Sequence, residues 1–227
     1  MKVVVLTGAG ISAESGVPTF RDSNGLWEGH HVEDVATPGA FEVQPTIVHR
    51  FYDARRRAVR AVTPNAGHHA LVALERALGD RLLLVTQNID DLHERAGSTR
   101  VVHMHGQLFS ALCPACGGRS PWEQDLAGGP ACPSCGVSEL RPDVVWFGEV
   151  PYEMDRIHRA LTRADLFVSI GTSGAVYPAA GFVRTAAASG ARTLELNLQR
   201  SDGTDWFHDA RHGPASRLVP AWVKELL

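Results

Sequence analysis

With 227 residues the chain can bury a sizeable core, and 44% hydrophobic and 21% charged residues give it the composition of an ordinary globular protein. Lys and Arg number 22 against 25 Asp and Glu, and the formal net charge of −3 excludes the overall positive field that would collect nucleic acid or anionic membrane. No window holds the roughly 18 apolar residues of a bilayer span. The opening MKVVVLTGAG runs into glycines rather than a secretory cleavage site, so the expected setting is cytoplasmic and reducing.

In chain order, Val3–Thr7 is a short, largely β-branched apolar run, which suits a strand buried on both faces of a parallel sheet. It leads into GAGISAESG, where Gly8, Gly10 and Ala13 fit G-x-G-x-x-G/A between a buried strand and an expected helix. There the backbone can approach a pyrophosphate and the helix N-terminus offers N–H donors; a tight turn without a ligand is the alternative. The acid that this fingerprint places about 20 residues on, to bind ribose, is missing, because Asp22 comes too early to end a second strand. Residues 24–62 then hold a loop and a helix without a convincing strand. A helix is expected over 65–78, with Leu71, Leu74 and Leu78 on one face, and others over 152–163 and 179–189. Strands are expected over 81–87, 100–106, 143–149, 165–172 and 191–198. Strand and helix alternate, which predicts a doubly wound α/β sheet, with 24–62 and the cysteine-bearing 113–135 inserted as a smaller domain.

Cys113, Cys116, Cys132 and Cys135 form C-x2-C-x15-C-x2-C, with the halves CPACGG and CPSCGV echoing each other. Each C-x-x-C turn can aim two thiolates at one tetrahedral ion, so the spacing predicts one zinc ion; a pair of disulfides is the alternative. Four thiolates leave the metal no open position, which makes the ion structural. The segment between the pairs carries a single arginine and no basic cluster, which argues against a nucleic-acid role for the module.

Within FYDARRR, residues 51–57, helical geometry divides the arginines. Tyr52 and Arg55 at i and i+3 share a face; Asp53 is placed to pair with Arg57 at i+4, and Arg56 falls on another side. Arg56 and Arg57 therefore read as a solvated basic face. Among eleven histidines, His103 and His105 stand at i and i+2 near a strand end and point the same way, so pattern alone does not choose between them. His30, His31, His49, His68, His69, His93, His158, His208 and His212 read as structural or exposed.

GAGISAESGVPTFR (8–21), TQNIDDLHERAG (86–97), HMHG (103–106), the four cysteines, VVWFGE (144–149), GTS (171–173) and LELNL (194–198) stand in an order that resembles the sirtuins, NAD-dependent protein lysine deacylases, over nearly the whole chain. The resemblance implies a Rossmann-like NAD-binding domain (1–23, 63–105 and 143–227) and a smaller domain made of a helical module (24–62) and a zinc module (106–142). It implies cofactor contacts from Gly8, Ala9, Gly10, Ile11, Ser12, Ala13 and Glu14, and from Phe20, Arg21 and Trp27. Further contacts would come from Gln87, Asn88, Ile89 and Asp90, from Gly171, Thr172 and Ser173, and from Asn197, Leu198, Gln199 and Ala215. Asn197, at a strand end, would meet the adenosine ribose in place of the missing acid.

His105, in the family's HG pair, is implied as the base, with Asn88 and Asp90 holding ribose or water and the nicotinamide carboxamide. The acyl-lysine peptide is implied to add as a strand along Val145, Trp146, Phe147, Gly148 and Glu149. Tyr52 and Arg55 resemble the Y-x-x-R of sirtuins that remove succinyl and malonyl groups, and Ala36 fits because some deacetylating relatives are bulkier there. The implied partners are acyl-lysine proteins or peptides, with no nucleic acid and no membrane. ADP-ribosyl transfer or NAD hydrolysis at the same site, or a non-catalytic NAD-sensing module, are the alternative readings.

Overall fold

A computed structural model of the chain describes residues 1–19 and 29–227. Its centre is a six-stranded parallel sheet in the order β3-β2-β1-β7-β8-β9, formed by β1 (Val3–Thr7), β2 (Leu82–Thr86), β3 (Val101–His103), β7 (Leu166–Ile170), β8 (Arg192–Asn197) and β9 (Asp209–His212). All five β1 residues are buried, because alternate side chains feed two cores. Val3 and Val5 pack with Leu71, Leu74, Val219 and Trp222. Val4 and Leu6 pack on the other face with Ile157, Leu161, Phe182 and Val183. The first core is closed by α5 (Ala66–Leu78) and α9 (Ala215–Leu226), the second by α7 (Met154–Leu161) and α8 (Phe182–Ala188). A sheet covered on both faces by apolar helix stripes is the doubly wound arrangement expected from the strand and helix alternation.

Helix α5 starts where its chemistry says it should. Asn65 accepts from the Gly67 amide at 2.9 Å, and the His68 ring reaches back to the Asn65 amide at 3.3 Å, a capping box with histidine in the usual Glu or Gln place. The sequence pattern missed α9, in which Pro220 interrupts an otherwise amphipathic helix, and β9, a short polar strand at the sheet's edge.

Most of the remaining elements lie outside these two layers, and several share a core of their own. After the short α1 (Ala9–Ala13) come α2 (Val32–Val35), α3 (Pro38–Val43) and the long α4 (Pro45–Arg60); α6 (Leu92–Ala96) follows β2. An antiparallel sheet in the order β5-β4-β6 joins β4 (Gly106–Leu112), β5 (Arg119–Pro121) and β6 (Arg141–Val144). The strand expected over 143–149 is corrected here: the strand is Arg141–Val144, it belongs to this small sheet, and 145–149 turns away from it. Gly106 makes the pairing possible, since at φ +83° a Cβ on it would lie 2.1 Å from the Asp143 carbonyl oxygen.

The reading of Arg56 and Arg57 is also corrected. Asp53 pairs with Arg56 at 2.8 Å, not with Arg57, and both partners are about 1% exposed. Arg57 is the exposed one and pairs with Asp125. A buried pair of this kind survives only when its spare donors and acceptors are met. Here Arg56 donates to the carbonyls of Leu108 and Gln124 (both 3.0 Å), and Asp53 accepts the amides of Leu126 (2.9 Å) and Ala127 (3.1 Å). Among the described residues no helix is long and apolar enough to cross a membrane.

Candidate active site

The sheet reverses direction of winding at β1, with β2 on one side and β7 on the other, and the turns that leave these strands diverge at their carboxyl ends. Open α/β sheets bind ligands at such a switch point. Gly8 and Gly10 leave β1 pressed against the turn after β7: the Gly10 amide donates to the Gly171 carbonyl at 2.8 Å, and a Cβ on Gly10 would lie 2.6 Å from the Gly171 Cα. The glycines therefore serve the contact between two turns, a requirement that exists before any ligand arrives. The amides of Thr172 and Ser173, next in that second turn, have no acceptor among the described residues.

Side chains from three strand ends knit together over this turn. Gln87 donates to the Thr172 hydroxyl at 3.0 Å, and Asn197, at the end of β8, donates to the Thr172 carbonyl at 2.9 Å. Asn88 donates to the Gly8 carbonyl and to Ser12 Oγ (both 3.1 Å), and Ser12 donates to Asp90 Oδ2 at 3.0 Å. Asp90 Oδ1 accepts the Leu92 amide at 3.1 Å. Burial raises the Asp90 carboxyl above its ordinary value, against the pull of the Leu92 amide and the Ser12 hydroxyl. Beneath lie two histidines that no sequence pattern singles out. The His68 Nε2 stands 3.5 Å from Ser12 Oγ, and burial lowers that ring's pKa to about 4. His93 meets Thr7 Oγ1 at 3.0 Å and is held well below its ordinary value by burial.

The structure separates His103 from His105. His105 places Nδ1 3.1 Å from the Gln87 carbonyl, which can only accept; Nδ1 therefore carries the proton and the neutral ring turns a lone pair out on Nε2. Burial lowers its pKa, with the Gln87 bond pulling the other way, so the ring stays neutral at pH 7. His103 meets an acceptor at each nitrogen, the Asn88 carbonyl at 3.2 Å and Glu94 Oε1 at 2.7 Å, and both nitrogens must donate. Burial acts to lower the His103 pKa, but the Glu94 carboxylate more than offsets it and the value is raised. His105 can take a proton at Nε2, whereas His103 faces an acceptor at each nitrogen.

The 145–149 turn ties His105 to α4. Val145 donates its amide to the His105 carbonyl at 2.9 Å, Phe147 donates its amide to the Ala36 carbonyl at 3.0 Å, and Trp146 donates Nε1 to the Tyr52 hydroxyl at 3.0 Å. Glu149 braces the turn by accepting the Trp146 amide and a two-pronged contact from Arg141, all at 2.8 Å. Trp146 is buried and Phe147 is 46% exposed, which settles their different roles in packing. Tyr52 is fully buried, and burial raises its phenol pKa, so the hydroxyl that accepts from Trp146 stays protonated. Arg55, 6% exposed, stacks its guanidinium 3.2 Å from the Phe51 ring centroid and donates to the Phe51 carbonyl at 3.0 Å.

Other expected cofactor residues take outlying places. Glu14 accepts the Ser216 amide and hydroxyl at the start of α9, next to Ala215, and Ala13 is exposed. Leu198 and Gln199 are exposed beyond β8, and Ile89 uses its carbonyl to accept the Leu108 amide. Phe20, Arg21 and Trp27 lie outside the described residues. The four cysteine sulfurs lie within 4.8 Å of one another, Cys113 and Cys135 at 3.7 Å and Cys116 and Cys132 at 3.9 Å. Disulfides need about 2.05 Å. A tetrahedral ion with bonds of about 2.3 Å spaces its sulfurs about 3.8 Å apart, which these thiols match. Amide N–H groups of Cys135 and Ser134 lower the Cys132 thiol, while against a backbone bond to Val137 desolvation and the neighbouring thiols raise that of Cys135, the opposed shifts of sulfurs crowded into one small space.

Residues 8–178 match the model of the Sir2 family. An NAD-dependent protein deacylase of Escherichia coli strain K12 is 55% identical over 229 residues, which is 100% of this chain and 82% of the relative. The NAD-dependent protein deacylase SIR2rp3 of Leishmania major is 54% identical over 99% of this chain and 95% of its own. A solved Sir2 homologue–NAD complex superposes with a TM-score of 0.90 at 40% identity, covering 99% of this chain and 89% of that one. From the family match and the full-length identity to these relatives, this chain belongs to the Sir2 family.

Proposed function

We propose that the chain is an NAD-dependent protein lysine deacylase that removes acetyl and acidic acyl groups, succinyl and malonyl, and yields nicotinamide and 2'-O-acyl-ADP-ribose. The residues fit NAD: a switch point, two unspent amides at Thr172 and Ser173, and a buried carboxyl at Asp90 converge on one strand edge. NAD when bound supplies a ribose carbon that becomes electrophilic as nicotinamide leaves, open to the oxygen of an acyl-lysine amide. In this reading the Thr172 and Ser173 amides receive phosphate oxygens and Asn197 receives the adenosine ribose. Asp90 accepts from the carboxamide, Asn88 orders the neighbouring ribose or a water, and His105 Nε2 takes a proton from a ribose hydroxyl. The zinc ion holds the small lobe and takes no part in the chemistry.

The single observation that carries the base assignment is the Gln87 contact at His105 Nδ1, which leaves Nε2 as the one lone pair. The acyl-lysine segment would lie along 145–149. The amides of Val145, Trp146 and Phe147 are spent inside the protein, so Gly148, whose amide has no partner among the described residues, is the donor left for a peptide carbonyl. Tyr52 and Arg55 supply a phenol O–H and a guanidinium to the acyl carboxylate, as a charge-assisted pair in a partly dry pocket.

The test is mass spectrometry of acetyl and succinyl versions of one peptide incubated with NAD. Free lysine peptide with acyl-ADP-ribose is the expected product; ADP-ribosylated protein in its place overturns the reaction. Arg55→Met is expected to lower succinyl kcat/KM at least about a hundredfold, the effect of stranding one partner of a desolvated charge pair worth about 2 to 5 kcal/mol, and to lower acetyl removal far less. Equal losses on both substrates refute the role of Arg55.

A further inference from the structure

We propose that Asp53 and Arg56 form a clamp through which the zinc-binding module fixes the rotation of α4, and that this clamp positions Tyr52 and Arg55 for acidic acyl groups. The proposal rests on the acyl-recognition reading above and assigns a positioning role to two residues that touch no substrate.

The geometry forms a continuous path from sulfur to guanidinium. Leu126 is fully buried and packs with Cys113, Cys132, Ala111 and Leu140, so the turn that follows the first cysteine pair rests against two of the four thiols. That turn spends its next atoms on α4. Asp53 receives the Leu126 amide on Oδ1 and the Ala127 amide on Oδ2, and Arg56 donates Nη1 to the Gln124 carbonyl. Arg56 Nε reaches the Leu108 carbonyl of β4, so the small sheet is held as well. The Asp53–Arg56 contact closes the clamp across one helical turn at 2.8 Å.

Asp53 and Arg56 follow Tyr52 and Arg55 by one residue each, so the two i, i+3 pairs lie on faces about 100° apart on one rigid helix. A rotation that frees one pair moves the other by the same angle. With side chains extending about 5 to 6 Å from the axis, a rotation of about 10° displaces a guanidinium by roughly 1 Å. Two-pronged recognition of a carboxylate tolerates about 0.5 Å. A neutral acetyl group has no such demand. The exposed seam pairs Arg57–Asp125 and Arg60–Glu123 run along the same boundary but lie in water, where such pairs contribute little.

Asp53→Asn, Arg56→Lys and the seam control Arg57→Ala are to be compared with the parent chain for kcat and KM on succinyl and acetyl versions of one peptide. Affinity for the succinyl peptide alone, without NAD, is to be read by fluorescence polarisation, and zinc content by thiol-reactive release. Each clamp variant is expected to raise succinyl KM and weaken succinyl-peptide binding at least about tenfold, as displacement by roughly 1 Å implies, with acetyl KM within about threefold and one zinc per chain retained. Arg57→Ala is expected to change neither. A fall in both substrates by the same factor, or no fall in either, overturns the clamp. Should Asp53→Asn not fold, Arg56→Lys, which keeps the charge and loses the fork, decides alone. Arg55→Met separates the two levels. If it leaves succinyl KM unchanged, the acyl-recognition reading falls and the clamp with it; if it raises succinyl KM while the clamp variants leave the substrate ratio untouched, the clamp alone falls.

Discussion

Asp90 and Arg55 are both buried ionisable side chains, yet the strand edge that carries the first and the helix that carries the second are held by different means. At the edge, the turns after β1, β2 and β7 are fixed first by backbone bonds between strand ends, Gly8 to Ile170, Gln87 to Thr7 and Gly10 to Gly171, with the Gln87, Asn88 and Asn197 side chains laid across them. On α4, the fixing bonds come from side chains that cross to distant segments, Arg56 to Leu108 and Gln124, and Trp146 to Tyr52. Backbone lattices cannot be edited one residue at a time, whereas side-chain ties can. In the proposed reading, chemistry common to every acyl group sits on the edge, and selection among acyl groups on the helix.

Removing zinc is the largest way to break that division. The four sulfurs bring the two C-x-x-C turns of the small module together, and a structural zinc site contributes folding energy outright. Chelation is expected to abolish turnover of both substrates and to melt the small sheet while the parallel sheet persists, as followed by thermal unfolding and peptide assay together. Full activity in metal-free protein would overturn the structural role. His105→Ala comes next. Loss of a positioned general base costs about 10² to 10⁴ in rate, and the loss is expected to be equal for acetyl and succinyl peptides with NAD affinity by calorimetry retained. A loss confined to one acyl group would place His105 on the selecting side and break the comparison.

Those two predictions fall on features the sequence shows plainly. The cysteine spacing and the β1 run with its glycine turn are local patterns that local physics is enough to read, whereas the HG pair points to His105 only through the resemblance to sirtuins. Arg56 is the opposite case: beside Asp53 at i−3, its partners lie 52 and 68 residues away and are carbonyl oxygens, which carry no side-chain signature. Charge pattern alone placed it in water. The strand at 141–144 was misplaced for a related reason, since RPDV has little strand propensity and is held by β4 and by the Arg141–Glu149 contact rather than by its own residues. Between His103 and His105 the periodicity is silent, and only the acceptor facing the second nitrogen of His103, Glu94, tells the two rings apart.

His103→Asn sharpens that last distinction at a smaller scale. The substitution removes the Glu94 bond and leaves His105 in place, so turnover is expected to fall about tenfold, the equivalent of one hydrogen bond of about 1.4 kcal/mol. The acid limb of the kcat/KM profile is expected to stay where it was, because His105 sets it. A shifted limb would show that His103 is the titrating base after all.

The smallest effect concerns how the edge tolerates acid. His68 and His93 are buried neutral beneath Ser12 and Asp90, with the His68 pKa lowered by burial to about 4. As pH falls below about 6.5 the unfolded chain binds protons at these rings that the folded chain refuses, so stability falls. For His68 the slope is about 1.4 kcal/mol per pH unit and the total about 3 kcal/mol by pH 4. His93 adds in the same sense. His103 and Asp90, whose folded pKa values are raised, act the other way, since the folded state holds their protons more tightly. His68→Gln isolates the first contribution without dismantling the helix start: glutamine is a natural third residue of a capping box, can still reach back to the Asn65 amide, and keeps a donor for Ser12. Between pH 7 and pH 5 its thermal midpoint is expected to fall less than that of the parent chain. Parallel curves for the two proteins would mean that the His68 ring titrates alike in the folded and unfolded chain, so that burial does not hold it neutral.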